Sequence, residues 1–279
     1  LLLTTQTDAQ WLQALRQARS DERIDVQLEG PVLWLTVDRE AQHNALALAM
    51  LEAIASVLDS AAMALRSTPD RLRLVVITGR GERSFAAGGD LKELDAMRSA
   101  AQTQAMTERG MAALNAIRDF PQPVLAGLNG SARGGGAELA MACDWRIAHD
   151  EVKLGFIQGQ LGLSPAWGGG TDLLARLGRG PTLRLLAEAA LLDAREAQQL
   201  GLIEVLTEGP AAAFAAALRS YVAGIAQRPA QVLRAHKALA NRAASSTRSI
   251  LQAEESAQLV QTWTHDDHWA LAANALKRS

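Results

Sequence analysis

The chain has 279 residues, 48% of them hydrophobic and 21% charged, with a formal net charge of −2. That is enough chain to bury a sizeable core, and the near-neutral balance leaves no basic footprint for nucleic acid or an anionic membrane surface. The single cysteine, Cys143, excludes an intrachain disulfide and a cysteine-rich metal site, and it agrees with a reducing, cytoplasmic location. No apolar run approaches the ~20 residues needed to span a bilayer. The leading Leu1–Leu3 trio has no basic stretch before it, so neither a membrane segment nor a signal peptide is expected.

In chain order, Trp11, Leu12, Leu15 and Ala18 recur at helical spacing and predict a short amphipathic helix over 7–19 with Asp8 as its cap. Two alternating runs around Gly30-Pro31 read as a β-hairpin. A long helix is expected over 46–66, then a strand over 71–79 that is apolar on both faces and therefore central. Helices follow from Leu91 and over 102–118, a second buried strand over 122–130, and a helix from Ala137. Short strands are expected in WRIAH and KLGF and again in LIEVL at 202–206. The remainder predicts helices over 180–188, 193–200, 210–226, 229–243, 247–262 and 265–277. A strand-rich first half and a helix-rich second half make an α/β core with a C-terminal helical region. The boundaries are a helical extension at 1–22, the core at 23–207, and at 208–279 helices for oligomerisation and active-site cover.

Two segments repeat one design. VVITG runs into SFAAGGD, and PVLAGLNG runs into SARGGGAE, each a buried strand, a small-residue loop and then a helix. Small residues let a ligand approach backbone N–H groups, and helix N-termini behind such loops favour negative charge. Two such loops side by side can aim two N–H donors at one oxygen, as an oxyanion hole does. Neither loop is a dinucleotide fingerprint or a phosphate-binding P-loop. Either loop alone reads as well as a purely structural turn.

The flanks of these loops resemble the enoyl-CoA hydratase/isomerase, or crotonase, superfamily. SFAAGGDLKEL is similar to its first oxyanion loop and NGSARGGGAELAMACDWRIA to its second. LGLSPAWGGGTDLLARLGR, LLDAREAQQLGLIEVL and LTVDREAQHNALALAM resemble further family segments, so the likeness runs from about residue 24 to the end. The resemblance implies a spiral of ββα units with C-terminal helices that build homotrimers or hexamers. It implies an acyl-CoA substrate, with coenzyme A present as part of the thioester and no tightly bound cofactor. The oxyanion donors would be the N–H groups of Gly89 and Gly135. Gln42, His43, Asn44, Ala86 and Ala87 would line the CoA moiety. Asp90 would fix the first loop and cap the next helix. Lys237 falls where family members approach CoA phosphates, with a solvated helix-face lysine as the alternative.

In the family's hydratases two glutamates flank the substrate double bond and pass protons to and from one water. The first matches Glu138; the second falls on Gln158. An amide neither takes nor gives a proton at ordinary pH, so a two-glutamate hydration is in doubt. Glu151 and Asp172 are out of register as substitutes. Burial raises the Glu138 pKa and a helix N-terminus lowers it, and a helix-start acid with no chemistry is the alternative reading. An oxyanion hole with one acid suffices for decarboxylation of a malonyl-type thioester, where electrons come to rest on the held oxygen. GFIQGQLGLSPAWGGGTDLL, with Trp167, resembles the ethylmalonyl-CoA decarboxylase branch more than the common hydratases. An isomerase using Glu138 alone stays open, as does a catalytically silent CoA-binding or scaffold homologue. His43, His149, His236, His265 and His268 show no metal-ligand spacing, and Ser84 and Ser164 no triad partners. Cys143 reads as a small buried hydrophobe. Trp167 reads either as a wall of the acyl pocket or as core.

Overall fold

The computed structural model describes residues 7–276. The first helix, α1 (Asp8–Ala18), is entered through Thr7, which accepts from the Gln10 N–H while Gln10 Oε1 accepts from the Thr7 N–H. Thr7 is therefore the cap of a reciprocal capping box, one position before the expected cap Asp8, which is the first helical residue. The hairpin β1 (Ile24–Glu29) and β2 (Val32–Val37) turns at Gly30-Pro31. Next come α2 (Leu48–Leu65), β3 (Leu74–Gly79), β4 (Ser84–Ala86), α3 (Leu91–Leu94) and α4 (Ala100–Arg118). The centre of the chain holds β5 (Val124–Leu128), β6 (Ser131–Arg133), α5 (Gly135–Ala142), β7 (Trp145–His149) and β8 (Lys153–Gly155). After a 3₁₀ turn (Ile157–Leu161) come α6 (Gly169–Leu177), α7 (Arg179–Glu188), β9 (Leu192–Asp193), α8 (Ala194–Gln199) and β10 (Val205–Thr207). Three helices end the chain: α9 (Phe214–Ala226), α10 (Ala230–Trp263) and α11 (Asp266–Leu276).

The strands form two sheets, in the orders β1-β2-β3-β5-β7-β10 and β4-β6-β8-β9. Beyond the hairpin the first sheet is parallel throughout. The pairs β3–β4, β5–β6 and β7–β8 each give one strand to each sheet before the chain turns into a helix. Three successive ββα units thus wind as a spiral. Alternation sorts the central strand: Val75 and Ile77 of β3 enter the main core with Leu35, Ile54 and Leu114. Leu74 and Val76 face the other way, onto Leu218 and Val222 of α9. Trp11 and Leu15 of α1 belong to the main core, as do Leu259 and Trp263 of α10. By composition α2 is long and apolar enough to cross a bilayer, but half of it is buried in the protein, against α1 and α4.

Residues 169–177, to which the sequence pattern assigned no element, form α6. The two helices expected over 229–243 and 247–262 are the single helix α10, which contains neither glycine nor proline to interrupt it.

Asn44 pins the loop after β2. It is fully buried in a left-handed backbone conformation; its Oδ1 accepts from the Arg39 N–H, and its Nδ2 donates to the carbonyls of Arg80 and Ser84 at 3.0 and 2.7 Å. Its side chain is turned inward, onto the backbone of Arg39, Arg80 and Ser84. Replacing it by alanine strands the Arg39 N–H and the Arg80 carbonyl, each worth roughly 1 kcal/mol or more, while the Ser84 carbonyl keeps Asn129 Nδ2 at 3.2 Å. Urea unfolding of Asn44→Ala is expected to show a loss of about 2–3 kcal/mol; a loss below about 0.5 kcal/mol would contradict this role.

Candidate active site

The parallel pairing of β4, β6 and β8 sets three loops side by side at one end of the second sheet. β4 leads into Ala87–Asp90, β6 into Gly134–Gly135, and β8 into the turn that carries Gln158. The loops touch: the Gly134 N–H donates to the Gly155 carbonyl, and a Cβ built on Gly88 would lie 3.8 Å from the Gly135 nitrogen. Gly134 has φ 52° and ψ −120°, a conformation open only to glycine, and its ψ sets the plane of the peptide bearing the Gly135 N–H. Among the described residues no protein acceptor takes the N–H of Gly89 or of Gly135. Two backbone donors on touching loops are thus left without a protein acceptor among the described residues.

Between these loops lies a cavity of about 120 Å³, walled by Leu94, Met106, Leu161, Leu163, Leu259 and Trp263. Trp167 forms its floor. A Cβ on Gly135 or on Gly110 of α4 would collide with the indole, and one on Gly89 would lie 3.6 Å from its Cη2. The ring therefore fills a slot left open by glycines from three separate elements. Trp167 packs in the main core and also lines the cavity.

Glu138, in the first turn of α5, is 1% exposed and is the only titratable side chain among the described residues lining the cavity. Its Oε2 accepts the N–H groups of Ala166, Trp167 and Gly169 at 3.2, 2.7 and 3.0 Å. Its Oε1 accepts Gln158 Nε2 at 2.9 Å, so the residues at the two expected positions meet. Gln158 Oε1 is buried without a partner. Burial, and then the charge of Glu255, push the Glu138 pKa up to about 7 against the pull of those N–H donors. Of the two opposing influences expected from sequence, desolvation wins.

Beneath the cavity lies a charged layer. Glu255 of α10 accepts the N–H groups of Gly168, Gly170 and Thr171 and the Thr171 hydroxyl. Arg118 of α4 is 3% exposed; it pairs with Asp172 at 2.7 Å and donates to the Trp167 carbonyl. Asp172, weighed as a substitute acid, is thus an ion-pair partner, and Glu151 lies exposed at the surface. Asp90 caps α3 through the Lys92 and Glu93 N–H groups and pairs with Arg39.

At the rim, the Ala87 N–H donates to the His43 carbonyl and the Leu46 N–H to the Gly88 carbonyl. The exposed Gln42 and His43 therefore run beside Ala87, while Ala86 is buried. Lys237 is elsewhere. It is 4% exposed, with Nζ at 2.6 and 2.7 Å from the carboxylate oxygens of Asp144, and it does not line the cavity. Both earlier readings of this lysine, a phosphate contact and a solvated helix-face residue, give way to a buried ion pair that ties α10 to the sheet. His149 and His268 are buried on the carbonyls of Gly209 and Leu161. No group of His, Cys, Asp and Glu among the described residues is placed to hold a metal.

Glu255, Arg118, Leu259 and Trp263 escaped the sequence reading. One signal was available: Glu255, Leu259 and Trp263 recur every four residues, so an acid sits in the buried stripe of a helix.

The family model described as enoyl-CoA hydratase/isomerase matches residues 27–277. A probable enoyl-CoA hydratase of Bacillus subtilis (strain 168) is 36% identical over 162 residues, 58% of this chain and 60% of that protein. The chain thus spans under two thirds of that relative's length. A crotonyl-CoA hydratase of Syntrophomonas wolfei is 33% identical, over 67% of this chain and 70% of its own. Among solved structures, an enoyl-CoA hydratase from Bacillus anthracis superposes with a TM-score of 0.73 at 31% identity, covering 92% of this chain and 97% of that one.

The indole slot gives a prediction of unusual sign. Glycine to alanine inside a helix normally stabilises by up to ~1 kcal/mol, but at Gly110 the methyl meets Trp167. Thermal unfolding of Gly110→Ala is expected to show a loss of about 1–3 kcal/mol, with a changed near-ultraviolet tryptophan signal. A gain in stability would contradict the slot.

Proposed function

The chain belongs to the enoyl-CoA hydratase/isomerase family, and on that premise we propose that it is a lyase that decarboxylates a malonyl-type acyl-CoA with a short apolar side chain. The observation that carries this reading is that Glu138 is the only titratable side chain among the described residues lining the cavity, with an amide at the second acid position. A hydration that needs two proton carriers has only one. Decarboxylation asks less. The bond to the carboxyl carbon breaks, carbon dioxide leaves, and the electron pair moves into the thioester, where the enolate oxygen takes the N–H groups of Gly89 and Gly135. The α-carbon then takes a proton from Glu138, which solvent replaces.

The cavity wall supports that direction of charge flow. Its lining holds no lysine, arginine or histidine, so a substrate carboxylate enters an apolar site without a counter-ion and is relieved on leaving as neutral gas. Glu138, poised at about 7, keeps a proton to return at neutral pH. That same value favours a second reading, a double-bond isomerase in which Glu138 takes an α-proton and returns it at the γ-carbon. In either case Gln42, His43, Ala86 and Ala87 border the CoA moiety. Assembly as a homotrimer or hexamer is supported by Val232, Leu239 and Ile250, which lie exposed along one side of α10.

Mixing the protein with an alkylmalonyl-CoA is expected to release carbon dioxide, and Glu138→Gln to slow turnover by about 10²–10⁴-fold. Because Glu138 acts as the acid and is protonated below about 7, kcat/KM should fall as pH rises through that value, by about tenfold per unit. A profile that rises through about 7 with 3-enoyl-CoA substrates would establish the isomerase instead. No carbon dioxide release, no isomerisation and no hydration of crotonyl-CoA, with CoA binding intact, would leave only a silent homologue.

A further inference from the structure

The stretch from Ala166 to Thr171 offers six consecutive backbone N–H groups, and two buried carboxylates divide them. Glu138 takes those of residues 166, 167 and 169; Glu255 takes those of 168, 170 and 171. The two acids therefore clasp one strip of backbone from opposite sides. Neither has a cation within ion-pair distance among the described residues. The groups facing them are Arg118 from α4, already paired with Asp172 from α6, and the neutral amide of Gln158. Arg118 is committed to Asp172, so two like charges share a buried site in which neither has an ion-pair partner of its own among the described residues. Such a pair does not ionise fully together.

We propose that Glu255 is a positioning residue for proton transfer: through the shared strip of backbone and by its own negative charge it keeps a proton on Glu138 at neutral pH. Burial raises the Glu255 carboxyl above the usual glutamate range as well, but its three N–H bonds and the Thr171 hydroxyl are all donors and favour its ionised form. Glu138 has the same number of backbone donors, but its Oε1 faces an amide that can rotate to offer Gln158 Oε1, the unpartnered acceptor, to a protonated carboxyl. The proton therefore settles on the acid that faces the cavity. The role assigned to Glu255 rests on the reading of Glu138 as the proton carrier, but it makes a claim about proton affinity that turnover is not needed to test.

The experiment is a pH titration of the glutamate side-chain carboxyl resonances in ¹³C-glutamate-labelled protein, with Glu138→Gln and Glu255→Gln used for assignment. In the unmodified protein the Glu138 signal is expected to titrate near neutrality and to respond to the titration of Glu255. In Glu255→Gln its midpoint should drop by about one pH unit or more, a roughly tenfold loss of proton affinity. Glu255→Asp, which keeps the charge, should hold the midpoint near that of the unmodified protein. Independent titration of both acids in the ordinary glutamate range would overturn the proposal on the unmodified protein alone. So would equal shifts in the Gln and Asp variants, which would mark a merely structural role. If the Glu138 midpoint behaves as expected but no acyl-CoA is turned over, the reaction assignment fails and the role of Glu255 stands.

Discussion

Everything in the cavity depends on how the N–H groups from Ala166 to Thr171 are satisfied. A strip of backbone with six inward N–H groups costs several kcal/mol if buried unpaired. Two carboxylates meet that demand, one from α5 in the spiral core and one from α10 in the C-terminal region. The bonds fix the strip, the strip fixes Trp167, and Trp167 supports the glycine loops above it. The same bonds offset the cost of burying Glu138 while leaving it protonatable. The C-terminal helix is thereby part of the site: besides Glu255 it supplies Leu259 and Trp263 to the cavity wall.

The juxtaposition of the two glycine loops comes from topology more than from any side chain. Parallel strands end at the same edge, so β4, β6 and β8 bring loops far apart in sequence to one place. Glycine is then required for two reasons: Gly134 turns the peptide plane, and Gly135 leaves room for the indole. Backbone donors held this way need little reorganisation when negative charge develops, which is why such sites stabilise enolates well.

Much of this was legible in the sequence because it is local. Strands apolar on both faces, glycine loops ahead of helices, and an acid in a first helical turn all lie within short windows, and the Glu138–Gln158 spacing became a hydrogen bond. What was hidden depends on partners distant along the chain. Lys237 looked solvated because its partner, Asp144, lies on another element. Glu255 looked like one more surface acid in an EES triplet, since nothing nearby announces a strip of unpaired N–H groups. The start of α6 announces no helix because glycine is a poor helix former; its first N–H groups are held by the two carboxylates.

The central claim is that one carboxyl carries the proton in this cavity and that Gln158 leaves the second position without a titratable group. The most direct measurement is the rate of water addition to crotonyl-CoA by the unmodified protein and by Gln158→Glu, with folding checked in both. The account predicts slow addition by the unmodified protein and a gain of roughly tenfold or more once a second carboxyl is restored. Fast hydration by the unmodified protein, unchanged or reduced in Gln158→Glu, would contradict it.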